Sequence, residues 1–410
     1  MSLQVGGGSS NVAATPLLTN VLTKCLFGLY KSYIAPAAGT TTLAMFELET
    51  EALAFRISIP NISENPVPGV RVAIAVGTGF PDRAAHWITP SAPPGNTGWL
   101  RLKAGGLDSA TLAARFAENI ASWTEFDLAA LRTLPESSGG RPIIAVRVQW
   151  PAGSVVTCPA NGIFGWRVDG AHRLLRASSQ DVLGVDNLAA YTTQNSVDDN
   201  VSIPVVQYVT IKQGKQELLN GDSTMEGIGS DPRCYGAVQR AADLVSSQSA
   251  PVEYCNAGLY AQGPLVYSRA LGYYAKKIQP TTVFYSPYSI NNTPAGGMPP
   301  YAVDEDYFGI ARVLSDLREL PRPPRLVLMT GLPTNPAYRN TGAGDQARRD
   351  LNTFLATIQG AETLPAYAAA FTGTRLPNGQ DQIKAGFTAD DCHPNDAGYD
   401  ALAAVVTSFI

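Results

Sequence analysis

The chain has 410 residues, 45% of them hydrophobic and 16% charged, which is enough apolar material for a sizeable core and for more than one domain. Its 34 acidic and 30 basic residues leave a formal net charge of -4, and no Lys/Arg block is present to follow a phosphate backbone, so a nucleic-acid partner is not expected. The cysteines, Cys25, Cys158, Cys234, Cys255 and Cys392, are scattered and form no CxxC, which argues against a zinc knuckle or a dense disulfide framework.

In "MSLQVGGGSSNVAATPLLTNVLTKCLFGLYKSYIAP" there is no charged n-region, and Lys24 interrupts the apolar stretch before it could serve as a signal core or a membrane span. Neither a standard export signal nor a span is read, which leaves extracellular, cell-surface and virion-associated locations open. Residues 40 to 175 then carry short alternating runs, "FRISIP", "VRVAIAVG", "WLRLKAG", "IIAVRVQW" and "IFGWRVDG", separated by Pro, Gly, Asn and Ser. This grammar predicts an antiparallel β-sandwich. Between two of the runs, "DSATLAARFAENIASW" has a Ser/Asp start and the apolar spacing of a helix. Trp87, Trp99, Trp123, Trp150 and Trp166 all fall in this half. Large aromatics most often fill a core, but on an exposed sandwich face they can stack on sugar rings. The polar, turn-rich "YTTQNSVDDNVSIP" marks the expected boundary between an accessory domain, 1–204, and a second domain, 205–410.

Beyond residue 205 apolar runs alternate with amphipathic helices. Strands are predicted at "QELLN", "PVEYCN", "TTVFYS", "RLVLMT" and, more weakly, "AYAAAF". Asp231-Pro232 reads as the N-cap and first turn of a helix whose Val238, Ala241, Ala242 and Val245 share a face. Leu351, Phe354, Leu355 and Ile358 form a second stripe, and Tyr399, Leu402, Val406 and Phe409 a third. Such alternation predicts βαβ units and a parallel sheet with its ligand site beyond the carboxyl ends of the strands. Cys234 and Cys255 flank the first helix and second strand, where a bridge is conceivable. The acidic run Asp304, Glu305, Asp306 opens a helix and suits dipole complementation better than metal binding.

One stretch raises a chemical question. "LLNGDSTMEG" places Ser223 at a strand end just before a helix, where a serine is either a cap or a nucleophile. A nucleophile needs a base. Of the three histidines, His86 and His172 lie in the β-rich half, and only His393, in "FTADDCHPNDAGYDALA", shares the second domain. Asp390 stands three residues before it, where a carboxylate can hold the ring nitrogen that faces away from a serine. The bland alternative is that His393 caps the last helix and that Asp390 and Asp391 are solvated acids. Cys392 is a weaker candidate nucleophile because its side chain points elsewhere than that of its neighbour.

The pairing of "GDS" after a first strand with "DxxHP" before a last helix resembles the SGNH (GDSL-type) hydrolases, over roughly residues 210 to 410. "YCNAGLYAQG" resembles the family's second block, with Gly258 as the matching glycine. "YSPYSINN" stands where the third block belongs, with Ser289 in place of the glycine and two adjacent asparagines, Asn291 and Asn292, that leave the register open. The resemblance implies a flavodoxin-like three-layer α/β/α domain with a parallel sheet, preceded by the sandwich. It implies a Ser223, Asp390, His393 triad and an oxyanion hole formed by the N–H groups of Ser223 and Gly258 with the Asn291 amide. Neither cofactor nor metal is implied, and Asp222 is read as a structural group beside the nucleophile. The expected function is a serine esterase that removes small acyl groups, such as acetyl, from a carbohydrate. Two other readings stay open: a lipase or thioesterase of the same fold, and a surface or phage-tail binding protein that keeps the fold without turnover.

Overall fold

Alternating side chains in the first half and apolar runs in the second determine which strands face water. The computed structural model describes residues 20–26, 30–34, 40–61, 64–77, 99–114, 122–133, 141–153, 155–159, 173–178, 204–231, 235–259, 262–292, 303–338 and 342–410. The first part holds β1 (Asn20–Leu26), β2 (Tyr30–Ile34), β3 (Thr40–Glu47), β4 (Ala54–Asn61), β5 (Val67–Gly77) and β6 (Leu100–Leu102). It continues with β7 (Ala110–Leu112), β8 (Ser122–Glu125), β9 (Ile143–Trp150), β10 (Val155–Pro159), β11 (Arg173–Ser178) and β12 (Val205–Thr210). The second part begins with β13 (Lys215–Gly221), α1 (Ser223–Glu226), α2 (Ala237–Val245), β14 (Val252–Gly258), α3 (Pro264–Ile278), β15 (Thr282–Tyr285) and α4 (Val303–Arg318). It ends with β16 (Arg325–Met329), α5 (Gly342–Leu355), β17 (Glu362–Leu364), α6 (Pro365–Phe371), β18 (Thr372–Arg375), β19 (Asp381–Ile383) and α7 (Asp396–Val406).

A nine-stranded sheet runs through both parts in the order β17-β16-β15-β13-β14-β1-β12-β4-β8. From β17 to β1 every neighbour pairs in parallel. From β1 to β8 the pairing is antiparallel. A second, antiparallel sheet, β11-β3-β9-β5-β6, shares one core with the antiparallel end of the first: Phe55, Ile57 and Tyr208 pack in the same cluster as Val72, Val146 and Trp150. In the parallel region consecutive residues point to opposite layers, as the period of two requires. Leu218 and Leu328 join α3 and α5 in one cluster, while Leu219 and Val327 join α2, α6 and α7 in another. The C-terminal unit is therefore a three-layer α/β/α domain, and the N-terminal region is mainly antiparallel.

Several local expectations change. The run predicted as a helix at 108–123 contributes strands β7 and β8 at its two ends, while its residues 115–121 lie outside the described residues. "AYAAAF" is the helix α6, since Pro365 fits a first turn and its four alanines are good helix formers. Helix α2 is capped by Gly236, not Asp231. Val245 and Phe354 are partly exposed instead of lying on buried stripes. The strand VVQYVT, Val205–Thr210, is antiparallel, so the sandwich pairing extends past the expected boundary at 204/205. Trp150 is fully buried, Arg147 stacks on Trp99 at 3.6 Å, and Trp123 packs against Tyr273 and Tyr274 of α3. Trp87, Trp166, His86, His172, Cys234 and the run "IFGWRVDG" lie outside the described residues. Cys255 is a free, buried thiol whose Sγ donates to the Thr23 carbonyl, so it is not half of a bridge.

The seam between the two parts is ionic and buried. Lys24 of β1, 5% exposed, lies 2.8 Å from Glu253 of β14 and 3.7 Å from Glu49. Arg141 reaches Glu49 at 2.7 Å and Asp243 of α2 at 3.1 Å, and the Tyr208 hydroxyl donates to Glu253 at 2.9 Å. Burial alone would depress the Lys24 pKa, but Glu253 and its neighbours raise it well above the ordinary value. Removing the cation would leave two buried carboxylates without it. Lys24→Met is therefore expected to lose on the order of 3–5 kcal/mol in denaturant unfolding, and adding Glu253→Gln should recover much of that loss. An unchanged midpoint for Lys24→Met would show that the network contributes nothing.

A second buried acid makes stability depend on pH. Glu217 of β13 is fully buried, and burial pushes its pKa up from 4.5 to about 7 against the opposing effect of Thr282, Lys215 and Thr281. A folded pKa above the unfolded one gives a contribution that is complete below the unfolded value and is lost as pH rises through the folded one. Unfolding free energy should thus fall between pH 5 and pH 8, and Glu217→Gln should flatten the fall and be the more stable form at pH 8.

Candidate active site

Strand β13 ends in Gly221, where a β-carbon would stand 2.5 Å from Met225 and 2.9 Å from Ser286, so only glycine lets the chain turn there. Asp222 follows as the N-cap: its Oδ1 accepts the Thr224 N–H at 3.0 Å, and the short helix α1 closes on Gly227 at φ 92°. Ser223 is thus fixed at the first position of a tight strand-to-helix turn, 3% exposed. Asp222 Oδ2 accepts the Ser289 hydroxyl at 2.9 Å. Burial raises the Asp222 pKa, while Thr224 and Ser289 oppose the shift. Asp222 is a cap and a tie to the loop after β15, consistent with its expected structural role.

His393 arrives from the other end of the chain, on the loop before α7. Its Nε2 lies 2.9 Å from Ser223 Oγ and its Nδ1 2.6 Å from Asp390 Oδ2. An ionised carboxylate can only accept, so Nδ1 carries the proton and Nε2 is left to accept from the serine hydroxyl. Asp390 Oδ1 also takes the backbone N–H groups of Cys392, at 3.0 Å, and His393, at 2.8 Å. Burial would raise the Asp390 pKa, but the His393 ring and these amides hold it well below the usual carboxylate range. Of the two adjacent aspartates, only Asp390 meets the ring; the Asp391 carboxylate accepts from Asn335 Nδ2 at 2.7 Å. Cys392 lines a cleft beside the site, and both ring nitrogens of His393 are engaged by Ser223 and Asp390.

The expected oxyanion donors fare differently. The Gly258 N–H donates to Asn256 Oδ1 at 2.9 Å, and its Cα is pressed against Glu226 where a β-carbon would be 2.3 Å from a backbone nitrogen. Gly258 is therefore a packing glycine at the end of β14, not a free donor. The Asn291 amide donates to Ser289 Oγ at 3.0 Å and to the Gln262 carbonyl at 3.3 Å. It lies in the same polar cluster as Asp222 but is occupied. The cleft itself follows the carboxyl ends of β13, β15 and β16, with Met225, Tyr288, Ile290, Leu332, Pro333 and Tyr367 on its walls. Among the described residues no group of three or more His, Cys, Asp or Glu is arranged to hold a metal, and no helix is long and apolar enough to cross a membrane.

Residues 219–401 match the profile of the GDSL-like Lipase/Acylhydrolase family. No curated protein matches the chain. A solved structure of a Corynascus thermopiles (Myceliophthora fergusii) carbohydrate esterase family 2 enzyme plus carbohydrate binding domain is 12% identical, covers 95% of this chain and 98% of its own, and has a TM-score of 0.36. The lipase/acylhydrolase from Enterococcus faecalis is 15% identical over 48% of this chain and 95% of its own, with a TM-score of 0.33. TesA is 19% identical over 47% of this chain and 96% of its own, with a TM-score of 0.35.

One residue that the sequence reading passed over holds the two loops together. Gly229 has φ 93°, and a β-carbon on it would meet the Pro394 carbonyl oxygen at 2.5 Å and His393 Cβ at 3.1 Å. The signal was present in the repeated glycines of "MEGIG", but nothing local says what approaches them. Gly229→Ala should widen the contact between Ser223 and His393 and lower the thermal midpoint, because both the backbone conformation and the space exclude a side chain. Gly342→Ala, where nothing lies within 4 Å, is the control. A crystal structure and a melting curve of each variant check the pair.

Proposed function

We propose that this chain, whose residues 219–401 form a GDSL-like lipase/acylhydrolase domain, is a serine esterase working through Ser223, His393 and Asp390. The carrying observation is the continuous hydrogen-bonded line from Ser223 Oγ to His393 at 2.9 Å and from His393 to Asp390 at 2.6 Å. Ser223 Oγ attacks the ester carbonyl while His393 Nε2 takes its proton. The tetrahedral intermediate collapses as the same nitrogen protonates the leaving alcohol, giving an acyl-serine. Water, deprotonated by His393, then releases the acid and restores the serine. Asp390 keeps the ring oriented and stabilises its charged form.

The Ser223 N–H and the Asn291 amide are the donors assigned to the oxyanion. Asn291 would exchange its long bond to the Gln262 carbonyl for the developing charge, which a preorganised dipole stabilises without solvent reorganisation. A small acyl group suits a cleft walled by Tyr288, Tyr367, Leu332 and Pro333. The narrower reading, O-deacetylation of a carbohydrate, rests on the fused antiparallel unit, 1–204 in the two-domain division; Trp150 lends it nothing because it is fully buried, and Trp99 and Trp123 are half-buried against Arg147 and Tyr273. The occupied donors at Gly258 and Asn291 favour one competing reading, a binding protein that keeps the fold without turnover.

A fluorophosphonate probe should label Ser223 in the wild type and not in His393→Ala. On p-nitrophenyl esters of increasing chain length, acetyl should be preferred; a preference for long chains would favour a lipase or thioesterase. Ser223→Ala and His393→Ala should each lower kcat roughly 10⁵- to 10⁶-fold, with the double variant little worse and Asp390→Asn milder. Absence of both labelling and turnover in the wild type would favour the binding protein, and acetylated polysaccharides test the carbohydrate.

A further inference from the structure

Asp391 sits between the two residues that form the ring contact, and its backbone is left-handed, with φ 65°. Aspartate tolerates that region better than most residues but does not prefer it, so something must hold the turn. Two hydrogen bonds converge on it from one residue in the loop after β16, and a third ties that residue to β19. The Asn335 N–H donates to the Asp391 carbonyl at 2.9 Å, and Asn335 Nδ2 donates to Asp391 Oδ1 at 2.7 Å. Asn335 Oδ1 in turn accepts the Ile383 N–H of β19 at 2.9 Å. That strand is anchored by Asp381, which pairs with the buried Arg348 at 2.6 Å. The same loop turns at Asn335–Tyr338 and brings the Tyr338 ring edge-on to His393, with centroids 6.4 Å apart.

We propose that Asn335 is a positioning residue that clamps the left-handed turn at Asp391 and thereby keeps Asp390 in register with His393. The proposal rests on the hydrolytic reading of Ser223 and His393. Asn335 touches neither the serine nor the imidazole; it acts through the backbone that carries Asp390 and His393. Both hydrogen-bonding ends of its amide are used, so neither a hydrophobic residue nor an aspartate can replace it: the first makes no bonds, and the second sets a carboxylate against that of Asp391.

The test uses the full chain. Kinetics on p-nitrophenyl acetate, thermal unfolding and the low-field proton resonance of His393 Nδ1–H, assigned by its loss in His393→Ala, are measured for Asn335→Ala. kcat should fall roughly 10- to 100-fold with KM within about twofold, because a small displacement of reacting groups is felt mainly in the chemical step. The resonance should broaden or vanish. Adding Asp391→Gly should restore most of kcat and the resonance, since glycine adopts positive φ without help. Wild-type kcat with an unchanged resonance in Asn335→Ala overturns the proposal, and so does a loss of kcat that Asp391→Gly does not reverse. If Asn335→Ala does not fold, Asp391→Ala breaks the same 2.7 Å bond from its other end and adds strain at φ 65°; wild-type behaviour there overturns the clamp. A wild type without turnover removes the hydrolytic reading alone, because the resonance still reports the clamp in every variant.

Discussion

The contact between Ser223 and His393 joins residues 170 positions apart, and it imposes conditions on both ends of the C-terminal domain. On the serine side the chain must leave β13, turn and begin a helix within a few residues, which is why Gly221 and Gly227 bracket α1. On the histidine side α7 must lie where its preceding loop falls over that turn. Tyr399 of α7 approaches the carbonyls of Thr224 and Ile228, and Arg240 of α2 bridges to Asp396 and Asp400 of α7, so the last helix is tied directly to the first two. Parallel order in the sheet does the rest by placing every loop in question at the carboxyl ends of the strands.

Two carboxylates near the serine have their pKa values pushed in opposite directions by their surroundings. Asp222 is almost wholly buried, and burial raises its pKa. Asp390 is half exposed, and the imidazole and backbone amides keep it ionised. Only the second is aligned with a ring nitrogen. Proximity in sequence to Ser223 is therefore a poor guide to role, whereas charge and hydrogen-bond direction distinguish a cap from a partner of the imidazole.

What the sequence announced follows the same logic. Strand ends at Gly221 and a helix start at Asp396 are local signals, and the two short blocks containing Ser223 and His393 were legible because each encodes its own turn. Asp390 was legible through spacing. At Gly258 the sequence did not show the second demand on the glycine, the close approach of Glu226. Asn335, Gly229 and Ser289 could not be read, since each matters through a residue distant in sequence. Strand β1 was hidden for a related reason. Its Lys24 looked like a break in an apolar run, yet in the fold that charge is the group on which Glu253 and Glu49 depend.

The same strand bears on how the two halves divide their labour. All the proposed reacting groups lie after residue 220, which suggests a detachable hydrolase, but β14 would end as an open edge if β1 were removed. An uncovered parallel edge strand with a buried carboxylate beside it is both a pairing hazard and an electrostatic cost. Trp123 extends the seam by lying against Tyr273 and Tyr274 of α3. The antiparallel half thus completes the parallel sheet before it does anything else. Any surface it offers to a substrate must lie away from the face committed to β14 and α3, so recognition by this half has to be sought on the second sheet and its loops.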